Sequence, residues 1–546
     1  MKKSVFSLIS ILLCSIAHSQ ENNGNAVVSV ENDYNPIVVQ VKKKGFTPTV
    51  EENSNVTPLE LVFSKRSNPY DSFTSERNVK ELLPKQEIQS PGYVRLGYGT
   101  TNDADAKLAY RIATGKNGDL RMLASFDGYK SDVEGVAGEW NSRMFRTVLD
   151  ACYTHTFETA MLSVGGNFTD RVFNYAPIVP GVMSGMETDK QNNIVYDIYA
   201  NGFARLSAPL SIAFKGGFTH NRRAYSSGLS DAISENHANI GATLRHEIFD
   251  SRIREVGTMF SLDLFIYNGT LRDATRGYGN VFSFEMNPFV GIMAGEWSLR
   301  AGANINMRNG NSAFLAVAPD IRVNGNLMDN VALYVTVGGG RSENGFAAMD
   351  RATPYWNFVE GAGTQLKPSY RVVDVEAGIR TGYRQLSADV FAGYTYTKDE
   401  LLQTVAENYV ALAQDNTSNL FVGTRIGYDC AGVLDVSLNA RYDHSSCDND
   451  YLLMMKPEFT VGVDAEVRPF KDLTIRAGYN FTRYTDAGSN ERIDNRNELF
   501  AHVGYKVCKN IGLFLHGDNL LDCSYYEYPG IGTRGIRVSA GASVAF

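Results

Sequence analysis

The sequence has 546 residues, 43% hydrophobic and 21% charged, with 50 Gly, 29 Tyr and 29 Phe against 16 Pro. That balance excludes a disordered chain, because there is ample apolar surface to bury, and it favours one large β architecture over a string of helical domains. The net charge of −8, with no basic tract beyond Lys42-Lys43-Lys44, argues against nucleic-acid binding.

Residues 1–19 read as a secretory signal. Lys2 and Lys3 supply the charged start, Val5 to Ile16 the apolar stretch, and Ala17-His18-Ser19 the small positions before Gln20. Cys14 follows Leu12-Leu13, and a bulky leucine there suits lipid attachment poorly. The remaining cysteines are Cys152, Cys430, Cys447, Cys508 and Cys523. They form no CxxC pair and read as small half-buried residues rather than a disulfide framework. Residues 20–90 carry Pro36, Pro48, Pro58, Pro69 and Pro84 and no sustained period. They are expected to form a periplasmic or lumen-entering arm. Beyond that signal no run of about 18 apolar residues exists to cross a bilayer as a helix.

From Gly92 the pattern changes to period-two alternation, the mark of strands. In 253–267, Val256, Thr258, Phe260, Leu262, Leu264 and Ile266 share one face, and Glu255, Gly257, Ser261 and Asp263 the other. In 433–443, Leu434, Val436, Leu438, Ala440 and Tyr442 oppose Asp435, Ser437, Asn439, Arg441 and Asp443. The stretches 472–483 and 536–546 alternate in the same way. The polar face carries full charges while the apolar face does not, and the runs are about 10 residues long, the length of a tilted membrane strand.

The alternation predicts an all-β fold, a transmembrane antiparallel β-barrel of about 22 strands over residues 91–546. Connections after even-numbered strands are short, such as Ser207-Ala208, Gly295 and Pro469-Phe470. Several after odd-numbered strands are long: 170–191, 343–368, 398–416, 485–495 and 519–533. That parity suits a closed barrel with short turns in the periplasm and long loops outside. Unpaired backbone groups cannot stand in hydrocarbon, so a membrane sheet must close on itself.

The stretch Asn519-Leu520-Leu521-Asp522, with Tyr525-Tyr526, Pro529-Gly530, Arg534-Gly535 and Phe546, resembles the last loop and strand of TonB-dependent receptors. Val30-Glu31-Asn32-Asp33-Tyr34-Asn35-Pro36 and Pro91-Gly92-Tyr93-Val94-Arg95-Leu96-Gly97-Tyr98-Gly99 resemble TonB-receptor-like barrels of Bacteroidota that lack a full plug domain. The resemblance implies an integral protein of the cell outer membrane, taking part in uptake or in an outer-membrane complex. It implies Phe546 as the assembly signal, and as partners the lipid bilayer, the outer-membrane assembly machinery and either TonB or a lipoprotein. A globular plug normally precedes such barrels, and residues 20–90 leave room only for an arm. An open lumen of this width would leak, so the arm, or an inward-folded loop such as 343–368, is expected to fill it.

No catalytic motif stands out, neither GxSxG nor HExxH nor a phosphate-binding glycine loop. No enzyme activity, cofactor or metal is expected. His444, Cys447, Asp448 and Asp450 have metal-ligand chemistry, but a polar loop is the better reading. His220 and His237 flank another loop and read as solvated. Tyr355 and Trp356, in the longest loop, are the candidate ligand contacts, able to stack on a sugar or another ligand; packing within the loop competes with that role. Arg300, Arg425, Asp435, Arg441 and Arg476 form either a selectivity ladder or cross-strand pairs. The alternatives to uptake are a passive pore, a structural or assembly partner for surface or periplasmic lipoproteins, and a soluble secreted β protein.

Overall fold

The computed structural model describes residues 91–546, apart from 136–137, 176–189, 225–231, 250, 269–277, 311–313, 329, 357–364, 407–408, 431 and 486–493. The expected signal (1–19) and arm (20–90) lie outside the described residues. One antiparallel sheet holds all the strands, from β1 (Gly92–Gly99) to β24 (Arg537–Ala545). Twenty-two of them form a closed barrel. The other two, β22 (Tyr526–Tyr528) and β23 (Ile531–Gly532), make a small hairpin inside the last long connection.

Closure is made by β1 pairing on one side with β2 (Ala104–Thr114) and on the other with β24. At the seam Gly92 and Phe546 exchange both backbone hydrogen bonds, at 2.8 and 2.9 Å. The ring of Phe546 lies directly over Gly92, where a Cβ would come within 2.4 Å of it. No sheet edge is left for water or lipid to satisfy, which is the condition for a sheet to sit in hydrocarbon.

The expected alternation holds in the wall. Leu262 and Leu264 of β9 (Ile253–Asn268) point outward and are exposed, while Asp263 between them points inward and accepts from His237. Outward residues include Ile240 and Leu315, exposed by 66% and 69%. Aliphatic surface on this scale would cost about 25 cal/mol per Å² in water and is neutral against acyl chains. Exposed aromatics gather towards the two ends of the wall: Phe157, Trp297, Tyr383, Tyr428 and Tyr505 at the short turns, Tyr98, Tyr196, Phe282 and Tyr442 at the other end. These are the girdles expected where a ring meets both lipid and water. The greasy faces do not meet in a compact core, so the soluble reading fails on the disposition of these side chains.

Most expected strand positions fall within a few residues of the observed ones. The turn 295–296 is two residues long, with Gly295 at φ +63°, a tight hairpin that needs positive φ. The main departure concerns 398–416. In place of a long loop, β15 (Leu386–Ala406) and β16 (Tyr409–Cys430) run on as one tall hairpin. Asp399, at φ +50° beside a register shift, bends it. Leu402 and Val410 in the upper part are buried. Their burial against the other loops, rather than local alternation, selects extended structure there.

Candidate functional site in the barrel mouth

Inside the wall a short pattern repeats. Arg425 stacks over Phe391, 4.3 Å from the ring centre, and pairs with Asp389 at 2.9 Å. Arg441 stacks over Phe421 at 3.9 Å and pairs with Asp443 at 2.6 Å. Arg300 sits over Phe289 at 3.7 Å and 3.5 Å from Asp320, and Arg95 over Phe514 at 3.9 Å and 3.6 Å from Asp105. Each guanidinium thus gains a ring face as well as a carboxylate. The rings can lie flat because a glycine faces them from the next strand. A Cβ on Gly423 would come within 2.4 Å of the Phe391 ring. Of the charges singled out in the sequence, Arg300, Arg425, Arg441 and Arg476 pair with carboxylates, Arg476 with Asp464 at 2.9 Å. The cross-strand reading therefore describes Arg300, Arg425 and Arg476, whereas Arg441 pairs along its own strand, two residues from Asp443. The aromatic and the glycine beneath were missed, although a Phe breaking the polar face of a strand (Phe289, Phe391, Phe421) was their visible signal.

At the loop end, β13 (Val331–Ser342) and β14 (Ser369–Tyr383) are joined by a connection that turns into the barrel. Its root is Glu343, held by Arg341 at 2.6 Å and Arg308 at 3.2 Å. Gly345 then opens helix α1 (Phe346–Ala352). The first helical N–H, on Phe346, donates to the Glu235 carboxylate at 2.9 Å, which satisfies one of the donors a helix start leaves open. Glu235 belongs to β8 (Ile233–Glu247), five strands away round the wall, so the connection reaches inward from β13 to that part of the wall.

Beside Glu235, Asp350 docks in a polar cradle on β6 (Gln191–Arg205) and β7 (Leu210–Ala224). It accepts from Arg223 at 3.0 Å, Asn193 at 2.7 Å, Asn221 at 3.3 Å and the Trp356 indole at 2.8 Å, with Arg171 at 4.0 Å. Arg223 is 0% exposed. It also donates to the Pro354 carbonyl and stacks over Trp356, 4.0 Å from the ring. A buried ion pair costs less as more of its remaining donors find acceptors, and here the Pro354 carbonyl takes a second donor of Arg223.

Tyr355 and Trp356 are 2% and 1% exposed. Tyr355 stands edge-on to Phe173 (5.6 Å) and Tyr528 (5.4 Å); Trp356 packs on Phe346 (5.2 Å). They anchor two apolar clusters. The first joins Tyr129, Val133, Trp140 and Met144 with Phe173, Tyr175, Val410 and Ile531; the second joins Ile233, Phe265, Tyr267 and Met349 with partly buried Leu401 and Leu412. The upper β15–β16 hairpin therefore lies on the inserted connection, and Gln403 donates to the Ala352 carbonyl at 2.7 Å. Tyr525, in the last connection, is also buried, and that burial raises its phenol above the ordinary range against the opposing pull of Arg496.

The remaining sequence candidates separate. His444 and Cys447 fall on opposite faces of β17 (Leu434–Cys447), and among the described residues no group of three His, Cys, Asp or Glu has the geometry to hold a metal. His237 faces the lumen, 2.9 Å from Asp263 and stacked 4.1 Å from Phe265, whereas His220 faces outward and bonds Asn236 at 2.8 Å. Phe546 sits in the closure seam. The arrangement as a whole can keep the mouth shut, and below it a wall of guanidinium–carboxylate pairs lines the lumen.

No family profile and no curated protein matches the sequence, but solved structures match its fold. The ferric-catecholate import receptor Fiu from E. coli K12 aligns with a TM-score of 0.62 at 11% identity, covering 85% of this chain and 82% of that one. The FrpB iron transporter from Neisseria meningitidis gives 0.65 at 11% identity, covering 83% and 81%. The copper transporter OprC gives 0.63 at 13% identity, covering 86% and 84%. The ferripyoverdine receptor of the outer membrane of Pseudomonas aeruginosa gives 0.60 at 12% identity, covering 85% and 72%. At such identities the likeness is one of fold. With its apolar exterior and closed 22-strand wall, the chain is a transmembrane β-barrel of the outer membrane, built on the fold of these receptors.

Proposed function

We propose that this barrel is a receptor-like uptake protein whose mouth is held shut at rest by the connection 343–356. The observation that carries the reading is the clasp of Asp350 on Arg223, which ties that connection to β7 (Leu210–Ala224), six strands round the wall from its root. A passive pore has no use for an ion pair sealed into its own entrance. The solved relatives in fold are named for ferric-catecholate import and for iron and copper transport. By analogy the cargo here is a metal or a metal complex, an argument from fold alone. Residues 20–90 act as the periplasmic or lumen-entering arm, and TonB supplies energy through it. Tyr355 and Trp356 become cargo contacts once the clasp releases them, since their ring faces are covered while it holds. Phe546, at the seam, serves as the assembly signal. No catalytic role is proposed.

The depth of the seal also favours a second reading, in which the barrel is a scaffold for a lipoprotein or other envelope partner. Single-channel recording on the purified full-length protein tests the first reading. The wild type is expected to be nearly silent and Asp350→Ala to show frequent openings. Steady large steps from the wild type would overturn uptake in favour of a pore. A stoichiometric partner after purification in mild detergent, with both proteins silent, would favour the scaffold.

A further inference from the structure

Glu235 does more than receive the start of α1: it is a carboxylate walled into the fastening of 343–356 without a cation of its own. The residue is 3% exposed. It accepts from the Phe346 N–H at 2.9 Å and from the Tyr267 hydroxyl. A Cβ on Gly345 would come within 2.7 Å of Oε2, so the start of the helix is pressed against it. Among the described residues no Lys, Arg or His forms an ion pair with Glu235. On β7, Arg223 is engaged by Asp350 and the Pro354 carbonyl. On β8 itself, His237 lies 2.9 Å from Asp263. At the root of the connection, Arg341 and Arg308 hold Glu343. From β9 and the segment after it come two phenols, Tyr267 and Tyr278, with ring centres 5.1 Å apart. From α1 the carboxylate is faced by a like charge, Asp350.

Glu235 stands above the hydrocarbon. Phe282 of the outer girdle has Leu264 as its Cα partner, and the partner of Leu264 on β8 is Ala238. Glu235 is three residues further out, about 10 Å at strand rise. Burial disfavours the charged form and pushes the Glu235 carboxyl up to about 7; Asp350 pushes the same way, while the Phe346 N–H, His237 and the Tyr267 hydroxyl oppose it. Once 343–356 is released, the same carboxyl meets the water of the lumen and returns to the ordinary range of about 4.3. The closed mouth therefore binds the proton more tightly than the open one. By linkage the proton's contribution to closure is complete below the ordinary carboxyl range and is lost as the pH rises through about 7.

We propose that Glu235 makes the mouth a proton-sensitive latch, shut while Glu235 is protonated and loosened when it ionises beside Asp350. The inference rests on the reading of 343–356 as the closing connection, and adds to it the condition under which that connection lets go. Acid surroundings keep the mouth shut, and neutral ones release it.

The test uses the full-length protein in mild detergent at pH 5, 6, 7 and 8. Backbone amide exchange in 346–352 is divided at each pH by the rate of an unstructured peptide of the same sequence, which removes the intrinsic pH dependence of exchange. Wild-type protection is expected to fall by about tenfold or more between pH 5 and pH 8. Glu235→Gln keeps an acceptor for the Phe346 N–H but cannot ionise, and should stay protected throughout. His237→Asn should retain the wild-type dependence, which separates Glu235 from its titrating neighbour. Tyr267→Phe removes a donor to the carboxylate and should move the transition to higher pH; it keeps the test usable where Glu235→Gln fails to fold, as judged by heat-modifiable migration. Equal wild-type protection at pH 5 and pH 8, a dependence that survives in Glu235→Gln, or a transition that Tyr267→Phe leaves in place would each overturn the latch while leaving the closing connection standing. An absence of protection in 346–352 at every pH would overturn the closing connection itself, and the latch with it.

Discussion

The barrel wall and the barrel mouth use the same pair of side chains at different ranges. On the wall, Arg425 and Asp389 are Cα partners on adjacent strands, and the arginine is 35% exposed to the lumen. At the mouth, Arg223 and Asp350 are 127 residues apart in sequence, with the arginine fully buried. The wall pair adds little to a register that backbone hydrogen bonds already fix. The mouth pair is what fastens the described stretch 343–356 to β7. An ion pair therefore contributes according to what else holds its two partners together, and only secondarily according to its length.

That contrast can be broken by substitution. Asp350→Ala leaves Arg223 buried without its charge partner, a change that costs about 3–5 kcal/mol. It should release 343–356, seen as rapid proteolysis in that connection while the heat-modifiable migration of the barrel is unchanged. Loss of the whole barrel would show that the mouth supports the wall, contrary to the comparison. In the wall the sensitive element is the glycine. Gly423→Val drives a branched side chain into the Phe391 ring and should cost about 1–3 kcal/mol by overpacking. Unfolding followed by heat-modifiable migration would measure it, and adding Phe391→Ala should restore part of the loss. Gln403→Ala removes the bond between the β15–β16 hairpin and the Ala352 carbonyl and should cost about 0.5–1.5 kcal/mol, read as faster backbone amide exchange in 346–352. Arg425→Met keeps a stem over Phe391 and should change barrel stability by no more than about 1 kcal/mol.

Much of the wall was legible in advance because each of its faces meets one solvent. Lipid outside and water inside impose strict alternation, so 253–267 and 433–443 can be sorted residue by residue. The parity of connection lengths then follows from which end each hairpin closes. The candidate site was legible only in outline. Tyr355-Trp356 stood out as aromatics in the longest loop, and an inward fold of 343–368 was a reasonable way to fill the lumen. Their partners could not be foreseen. Phe173, Arg223 and Tyr528 lie on three separate stretches of chain, and nothing periodic links them to residue 350 or 355. The tall hairpin from Leu386 to Cys430 was missed for a related reason: above the membrane both faces meet a mixture of water and loops, and the alternation that marks a strand fades.

The amino-acid sequence determined that the chain would become a closed wall, since backbone groups in hydrocarbon must all be paired and two-sided alternation supplies the two required surfaces. The tertiary structure decided which loop enters the lumen, where it is fastened and which aromatic rings it hides. Those outcomes depend on contacts between residues more than a hundred positions apart, such as Arg223 with Asp350 and Glu235 with Phe346, which no local pattern in the sequence links.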